Sequence, residues 1–244
     1  MRARHFTNAL AHTLVLALLA LPALGTAAHA AVPASVPSGA ALYTGPGESY
    51  AAAGELAADT AVYAIETEGD WTLIDFPRDG GRARAYAATR SLSMDGAVRE
   101  AKLLSVQATT AAAGTLYASP DESAGILAEL GIMTPVTILR MEGDFAFVEM
   151  DGSQGQRLRG WTPASTVGAT GAAEVQTGGV SIPMLCTAEC WLYETPSDDG
   201  NPLLLLPAGT EIECYGELYN GFAIAACDGR TGYIAADELI PATD

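Results

Sequence analysis

The chain has 244 residues, with 12 Lys+Arg against 29 Asp+Glu and a formal net charge of −17. That excess of acid works against phosphate backbones and anionic headgroups, so nucleic acid, teichoic acid and membrane surfaces are poor partners. Cationic or neutral partners are favoured.

Residues 1–30 read as a secretory signal. Arg2 and Arg4 form a basic start, Leu14 to Leu24 an apolar run, and Ala28-His29-Ala30 a small-x-small cleavage site before Ala31. The run is shorter than the roughly 20 residues a membrane span needs. No cysteine ends it, and Pro241-Ala242-Thr243-Asp244 brings no hydrophobic tail. The expected localisation is therefore secreted, free of the membrane after cleavage. Removing the segment takes away Arg2, Arg4 and all three histidines (His5, His12, His29), leaving a formal charge of −19. Without histidine, Ser-His and Cys-His nucleophilic catalysis and histidine-ligated zinc are excluded in the mature chain.

Residues 31–38 read as an extended, proline-broken lead-in. A motif then occurs three times: Leu42-Tyr43-Thr44-Gly45-Pro46, Leu116-Tyr117-Ala118-Ser119-Pro120 and Leu192-Tyr193-Glu194-Thr195-Pro196. The same landmarks follow each copy: Leu56, Leu130 and Leu206; then Thr60, Thr134 and Thr210; then Val62, Val136 and Ile212. A turn and an aromatic come next (Trp71, Phe145, Phe222), and a second aromatic closes the unit (Tyr86, Trp161, Tyr233). Spacings held over three copies mark an internal repeat of about 75 residues.

Repeat one spans 39–92, repeat two 106–167 and repeat three 180–240. Within repeat one, Thr60 to Ile65 alternates and Trp71 to Phe76 follows a Gly-Asp turn, the pattern of a hairpin. Residues 93–105 join repeats one and two, with Asp95 capping a short helix to Leu104. Residues 168–179 read as a flexible linker, and 241–244 as a tail. Short strands and Gly/Pro turns, with no long 3.6-residue stripe, predict an all-β chain of three small barrels in tandem.

These units resemble the bacterial SH3-like (SH3b) domain, found in secreted and cell-wall proteins. The matching residues are Pro46, Pro120 and Pro196 at the opening proline, and Leu42, Leu116 and Leu192 at its valine. Gly209-Thr210-Glu211-Ile212 matches the second piece, and Asp70-Trp71 and Gly160-Trp161 the two Trp pieces. The family's usual Arg is replaced by Tyr43, Tyr117 and Tyr193. The resemblance implies extracellular binding, to cell-wall peptidoglycan or its peptide stems, with an extracellular protein–protein adaptor as the alternative.

Exposed aromatics beside a loop can serve as a binding platform. The candidate ligand residues are Tyr43, Trp71, Tyr86, Tyr117, Trp161, Tyr193 and Tyr233. The second and third aromatics of each set have a competing role as core, while the Tyr beside each proline is expected to be exposed, since its Leu neighbour points inward. No phosphate loop or nucleophile elbow occurs. No catalytic residue, cofactor or metal site is assigned, and the acid pairs Asp198-Asp199 and Asp237-Glu238 read as turn residues.

All four cysteines fall in repeat three, which suggests two structural disulfides in an exported chain. The SH3-like pattern puts Cys190 and Cys214 on its two inner strands, implying Cys190–Cys214 and, by remainder, Cys186–Cys227. The local pair Cys186–Cys190 is the competitor and requires a turn between the two.

Overall fold

The computed structural model describes residues 31–175, 181–218 and 220–242. The expected signal segment, residues 176–180 of the expected linker and the last two residues of the tail lie outside them. The described chain is all-β, with four short 3-10 turns.

Repeat one contains β1 (Val32–Val36), β2 (Ala40–Tyr43), β3 (Ala52–Leu56), β4 (Thr60–Glu68), β5 (Trp71–Arg78), β6 (Gly81–Ala88) and β7 (Ser93–Met94). Repeat two contains β8 (Leu104–Thr110), β9 (Gly114–Tyr117), β10 (Ile126–Leu130), β11 (Pro135–Glu142), β12 (Phe145–Asp151), β13 (Arg157–Pro163) and β14 (Val167–Val175). Repeat three contains β15 (Ile182–Cys186), β16 (Cys190–Tyr193), β17 (Pro202–Leu206), β18 (Glu211–Glu217), β19 (Phe222–Cys227), β20 (Arg230–Ala235) and β21 (Leu239–Pro241). Each repeat forms one seven-stranded antiparallel sheet, in the order β3-β2-β6-β5-β4-β1-β7 for the first and its equivalent for the others.

Three segments expected outside the repeats belong to the sheets. The lead-in supplies β1, which pairs with β4 from Val32↔Ala64 to Val36↔Thr60. The expected linker after repeat two supplies β14, which pairs with β8 across a bulge between Ala169 and Ala173. Composition suggested flexibility there, but an edge position leaves β14 free to bond its backbone to β8. The expected helix over 95–104 does not form. Its backbone instead bonds to β4, with the Thr67 amide donating to the Arg99 carbonyl (2.8 Å) and the Ala101 amide to the Thr67 carbonyl (2.6 Å).

Alternation sorts the strands. In β4, Val62 and Ala64 are buried while Tyr63 is exposed. Leu42, Leu116 and Leu192 all point into their cores, as their motif predicts. A tight turn precedes the following strand in each repeat, and the chain there takes positive φ at Asp59 (60°), Met133 (60°) and Gly209 (79°). Repeat three alone places glycine at this left-handed position, which L side chains adopt at a cost.

Each repeat carries the same bulge where its central hairpin leaves the core: Ala64/Glu66, Ile138/Arg140 and Cys214/Gly216. The residue after the bulge opposes Leu73, Phe147 and Ile224 respectively. Glu66, Arg140 and Gly216 are therefore equivalent, and a bulge re-aims the side chain at this point. That residue sets how each repeat meets its neighbour.

Candidate functional site

Repeats one and two pack through the same surface. Leu73 and Tyr86 of the first meet Phe147 and Trp161 of the second, with Leu103 and Leu139 completing a buried cluster. Leu73 corresponds to Phe147 and Tyr86 to Trp161, because each pair is opposed in its own ladder: Leu73↔Tyr86 and Phe147↔Trp161. The rings of Phe147 and Trp161 stack with centroids 4.3 Å apart.

The charges repeat this reciprocity. Glu66 accepts from its own counterpart, Arg140 Nη1 to Oε1, at 2.6 Å. Arg84 and Arg159 are equivalent, opposing Asp75 and Glu149 in their hairpins. Arg84 donates to Glu142 of repeat two (2.8 Å), while Arg159 donates to Glu68 of repeat one (2.7 Å). Arg84 lies over the Trp161 ring at 5.4 Å, and Arg159 over the Tyr86 ring at 5.9 Å. Position i of one repeat meets j of the other while j meets i, the signature of an isologous interface, here built within one chain.

The seam is water-poor. Glu66 is 1% exposed and Arg140 9%. Burial opposes the charged form of Arg140, yet Glu66, assisted by Glu142, outweighs it and holds the guanidinium above its usual pKa. Burial likewise raises the Tyr86 phenol, with Arg159 pulling the other way.

Repeat three uses the corresponding surface differently. Tyr233 and Ile224 pack into the cluster of repeat two, and the Tyr233 hydroxyl donates to the Gly171 carbonyl of β14 at 2.9 Å. Gly216 replaces the Glu/Arg position. A Cβ there would overlap the Met141 side chain, so the missing side chain is what lets Met141 of repeat two approach.

The seven candidate ligand residues therefore divide. Tyr86, Trp161 and Tyr233 are fully buried at the seams, at 0%, 2% and 0% exposure, and offer no face to a ligand. Their assignment as platform residues is corrected: the neighbouring repeat covers them. Tyr43 and Trp71 form an edge-to-face pair with centroids 5.4 Å apart, half-buried. Tyr117 does the same with Phe145 at 6.4 Å. Tyr193 is half-buried beside Tyr233 in the ladder.

A polar cleft opens beside the first seam. Its volume is about 650 Å³, and its walls come from Asp75, Arg82 and Arg84 of repeat one and from Ser119, Ala124 and Leu127 of repeat two. Arg82 is ion-paired to Asp75, and the Arg84 amide donates to the Ala118 carbonyl at 3.2 Å across the cleft. Ser119 is 9% exposed, and its Oγ has no hydrogen-bond partner. An unpaired buried hydroxyl is costly, and this one lies beneath the cleft wall.

On the other side of the seam the equivalent space is filled. Tyr50 inserts there, and its hydroxyl donates to Glu149 Oε2 at 2.6 Å. The Arg157 and Arg159 guanidiniums lie 5.4 and 5.2 Å from its ring centroid. Sequence reasoning passed over Tyr50 and these arginines. The available signal was a recurring acid–Arg-x-Arg set, Asp75 with Arg82 and Arg84, and Glu149 with Arg157 and Arg159. Repeat three lacks it, with Ala226 opposite Thr231 at the corresponding ladder position.

Neither expected disulfide, Cys190–Cys214 or Cys186–Cys227, is formed in the structure. Cys186 ends β15 and Cys190 begins β16; both are buried at 2% exposure in one core cluster, with the two thiols near each other. Cys214, on β18, packs against the same core cluster, and all four cysteines are free thiols. Cys227 lies on β19 and packs against the same cluster, its Sγ directed at the Glu211 carbonyl. The turn at 187–189 makes the local pair possible.

Burial first, then the Cys186 thiol, push the Cys190 pKa up to about 12. Unfolded cysteine titrates near about 8.5. The neutral thiol thus contributes stability that is complete below that pH and lost as pH rises toward the folded value. Reduced protein is expected to show a falling denaturation midpoint from about pH 8.5 upward, and oxidation to lessen that fall. Non-reducing peptide mapping of the oxidised protein is expected to find Cys186 linked to Cys190. A Cys190–Cys214 or Cys186–Cys227 peptide would refute the assignment.

No protein-family model matches the chain, and no curated protein matches it. Among solved structures it is similar to two Trichomonas vaginalis proteins, NlpC2 and NlpC1. The first aligns over 87% of this chain and 96% of that one at 10% identity and a TM-score of 0.24. The second aligns over 86% and 90% at 12% identity and a TM-score of 0.25. At those scores the likeness carries no argument about fold or activity.

Proposed function

We propose that this chain is an exported, non-enzymatic binding protein of three SH3-like barrels, and that its ligand is a peptide held in the cleft between repeats one and two. The identical strand order and recurrent bulge of the three sheets support the SH3-like reading. The observation that carries the binding reading is the cleft: preformed, and walled by the polar side chains of Asp75, Arg82 and Arg84. The absence of histidine beyond residue 30 supports a non-catalytic role. Peptide stems of peptidoglycan are the first ligand class, following the SH3-like resemblance, and their free amines suit an acidic protein.

A second reading, an adaptor docking a secreted protein, is favoured by a specific observation. With Tyr86, Trp161 and Tyr233 buried, three equal aromatic platforms for repeated wall contacts do not exist. Retention of the mature chain on purified sacculi separates the two readings. Binding that survives protease treatment of the sacculi supports the wall ligand; no binding supports the adaptor. Zymography on wall substrate is expected to stay blank, and a clearing zone would overturn the non-enzyme reading.

A further inference from the structure

The two sides of the seam between repeats one and two are copies of one arrangement, and one copy contains a bound ring. On the filled side, Tyr50 sits between Arg157 and Arg159 with its hydroxyl on Glu149. On the open side, Arg82, Arg84 and Asp75 hold the equivalent ladder positions, and Ala124, the loop residue equivalent to Tyr50, lines the cleft with them. The loops match residue for residue. Thr44 N bonds to Ala51 O as Ala118 N bonds to Gly125 O, and Tyr50 N bonds to Gly47 O as Ala124 N bonds to Asp121 O. The open copy keeps the guanidiniums and the carboxylate, with the exposed Tyr63 ring of its own sheet 5.2 Å from Arg82, and lacks a ring inserted from the neighbouring repeat's loop.

We propose that the cleft binds the p-hydroxyphenyl ring of a tyrosine presented by a partner polypeptide. The ring lies against the Arg82 and Arg84 guanidiniums, as Tyr50 lies against theirs, and its hydroxyl donates to Asp75. One difference sets the depth of entry. A Cβ at Gly45 would overlap the Tyr50 ring, and Ser119 occupies the equivalent position in the open copy. The incoming ring therefore sits nearer the mouth than Tyr50 does. The arginines are already neutralised, Arg82 by Asp75 and Arg84 by Glu142, so the cleft suits a neutral ring with a donor better than an anion. This inference rests on the cleft being the ligand site and points toward the adaptor reading, because wall stem peptides are not the source of the phenol it requires.

The test is saturation-transfer NMR on the full mature chain with N-acetyltyrosinamide, N-acetylphenylalaninamide and N-acetylalaninamide. The tyrosine probe is expected to bind, and the phenylalanine probe about tenfold more weakly for loss of the hydrogen bond to a charged acceptor. The double variant Ser119→Gly/Ala124→Tyr copies the filled side, and is expected to remove binding while leaving the melting temperature unchanged or raised. Arg82→Ala, half-exposed and not needed to close the seam, is expected to weaken the tyrosine probe. Equal signals from the tyrosine and phenylalanine probes, binding that persists in the filled variant, or no transfer to any probe would each overturn the proposal. Retention on sacculi that persists in the filled variant would place the wall site elsewhere on the chain, which separates failure of the cleft reading from failure of the phenol.

Discussion

Glu66→Ala is expected to destabilise the protein by about 3–5 kcal/mol, because it leaves a buried guanidinium without its carboxylate. Arg140 donates to Glu66 at 2.6 Å, and Arg99 approaches the other oxygen at 3.5 Å. Arg140 cannot shed its proton to escape the cost, since burial has not lowered its pKa against its carboxylate partners. The pair itself is a poor source of net stability, because desolvating two charges offsets most of their attraction. Glu66→Leu combined with Arg140→Leu is therefore expected to recover most of what the single change loses. Denaturant titration of the three proteins reads this directly. A single-variant loss below about 1 kcal/mol, the range of exposed pairs, would show that the seam opens to water in solution.

Trp161→Ala is expected to cost about 3–5 kcal/mol, the range for emptying a large buried aromatic site. The effect should spread beyond repeat two. Trp161 stacks on Phe147 within its own sheet and contacts Arg84 of repeat one, so its loss removes packing from both. Repeats one and two share one buried cluster and are expected to unfold together in the parent protein. In the variant, amides of β5 and β6 should exchange faster along with those of β12 and β13, measured by native-state hydrogen exchange. Protection lost in repeat two alone would show that the two repeats are independent units. Had Trp161 been a ligand platform, the substitution would have changed binding and left stability nearly untouched.

The repeat itself was legible because local rules wrote it. Leu42, Leu116 and Leu192 recur at fixed distance from the Thr and aromatic landmarks, and period-two alternation places them inward. The hairpin after Thr60 followed from its turn and its alternating residues for the same reason. The edges of each repeat were not legible. Val32–Val36 and Val167–Val175 are strands because a neighbouring strand offers unpaired backbone groups, and proline or glycine content is a weak guide to that. The helix expected before Leu104 failed on the same ground: Thr67 of β4 supplied the hydrogen bonds a helix would have supplied internally.

The candidate site divides along the same line. That aromatics gather near the Leu-Tyr-x-x-Pro motif could be read from spacing, and Tyr43 does meet Trp71 and Tyr117 does meet Phe145. Which aromatics stay open could not be read, because burial of Tyr86, Trp161 and Tyr233 comes from another repeat and not from their own strand. The cysteine pair turned on a similar point. Cys186 and Cys190 come near each other because three residues join β15 to β16, strands that follow one another in the chain without pairing in the sheet.

By itself the sequence determined three all-β units, their inward leucines, their turns and an acidic chain without histidine after residue 30, since these follow from short-range sterics, alternation and composition. The tertiary structure alone decided that the first two units face each other through equivalent residues, so that Glu66 finds Arg140 and Tyr50 fills one of two matching clefts. Such contacts join positions 74 to 107 residues apart, and nothing in the local pattern of either partner distinguishes a charge that will be solvated from one that will be buried against its own counterpart.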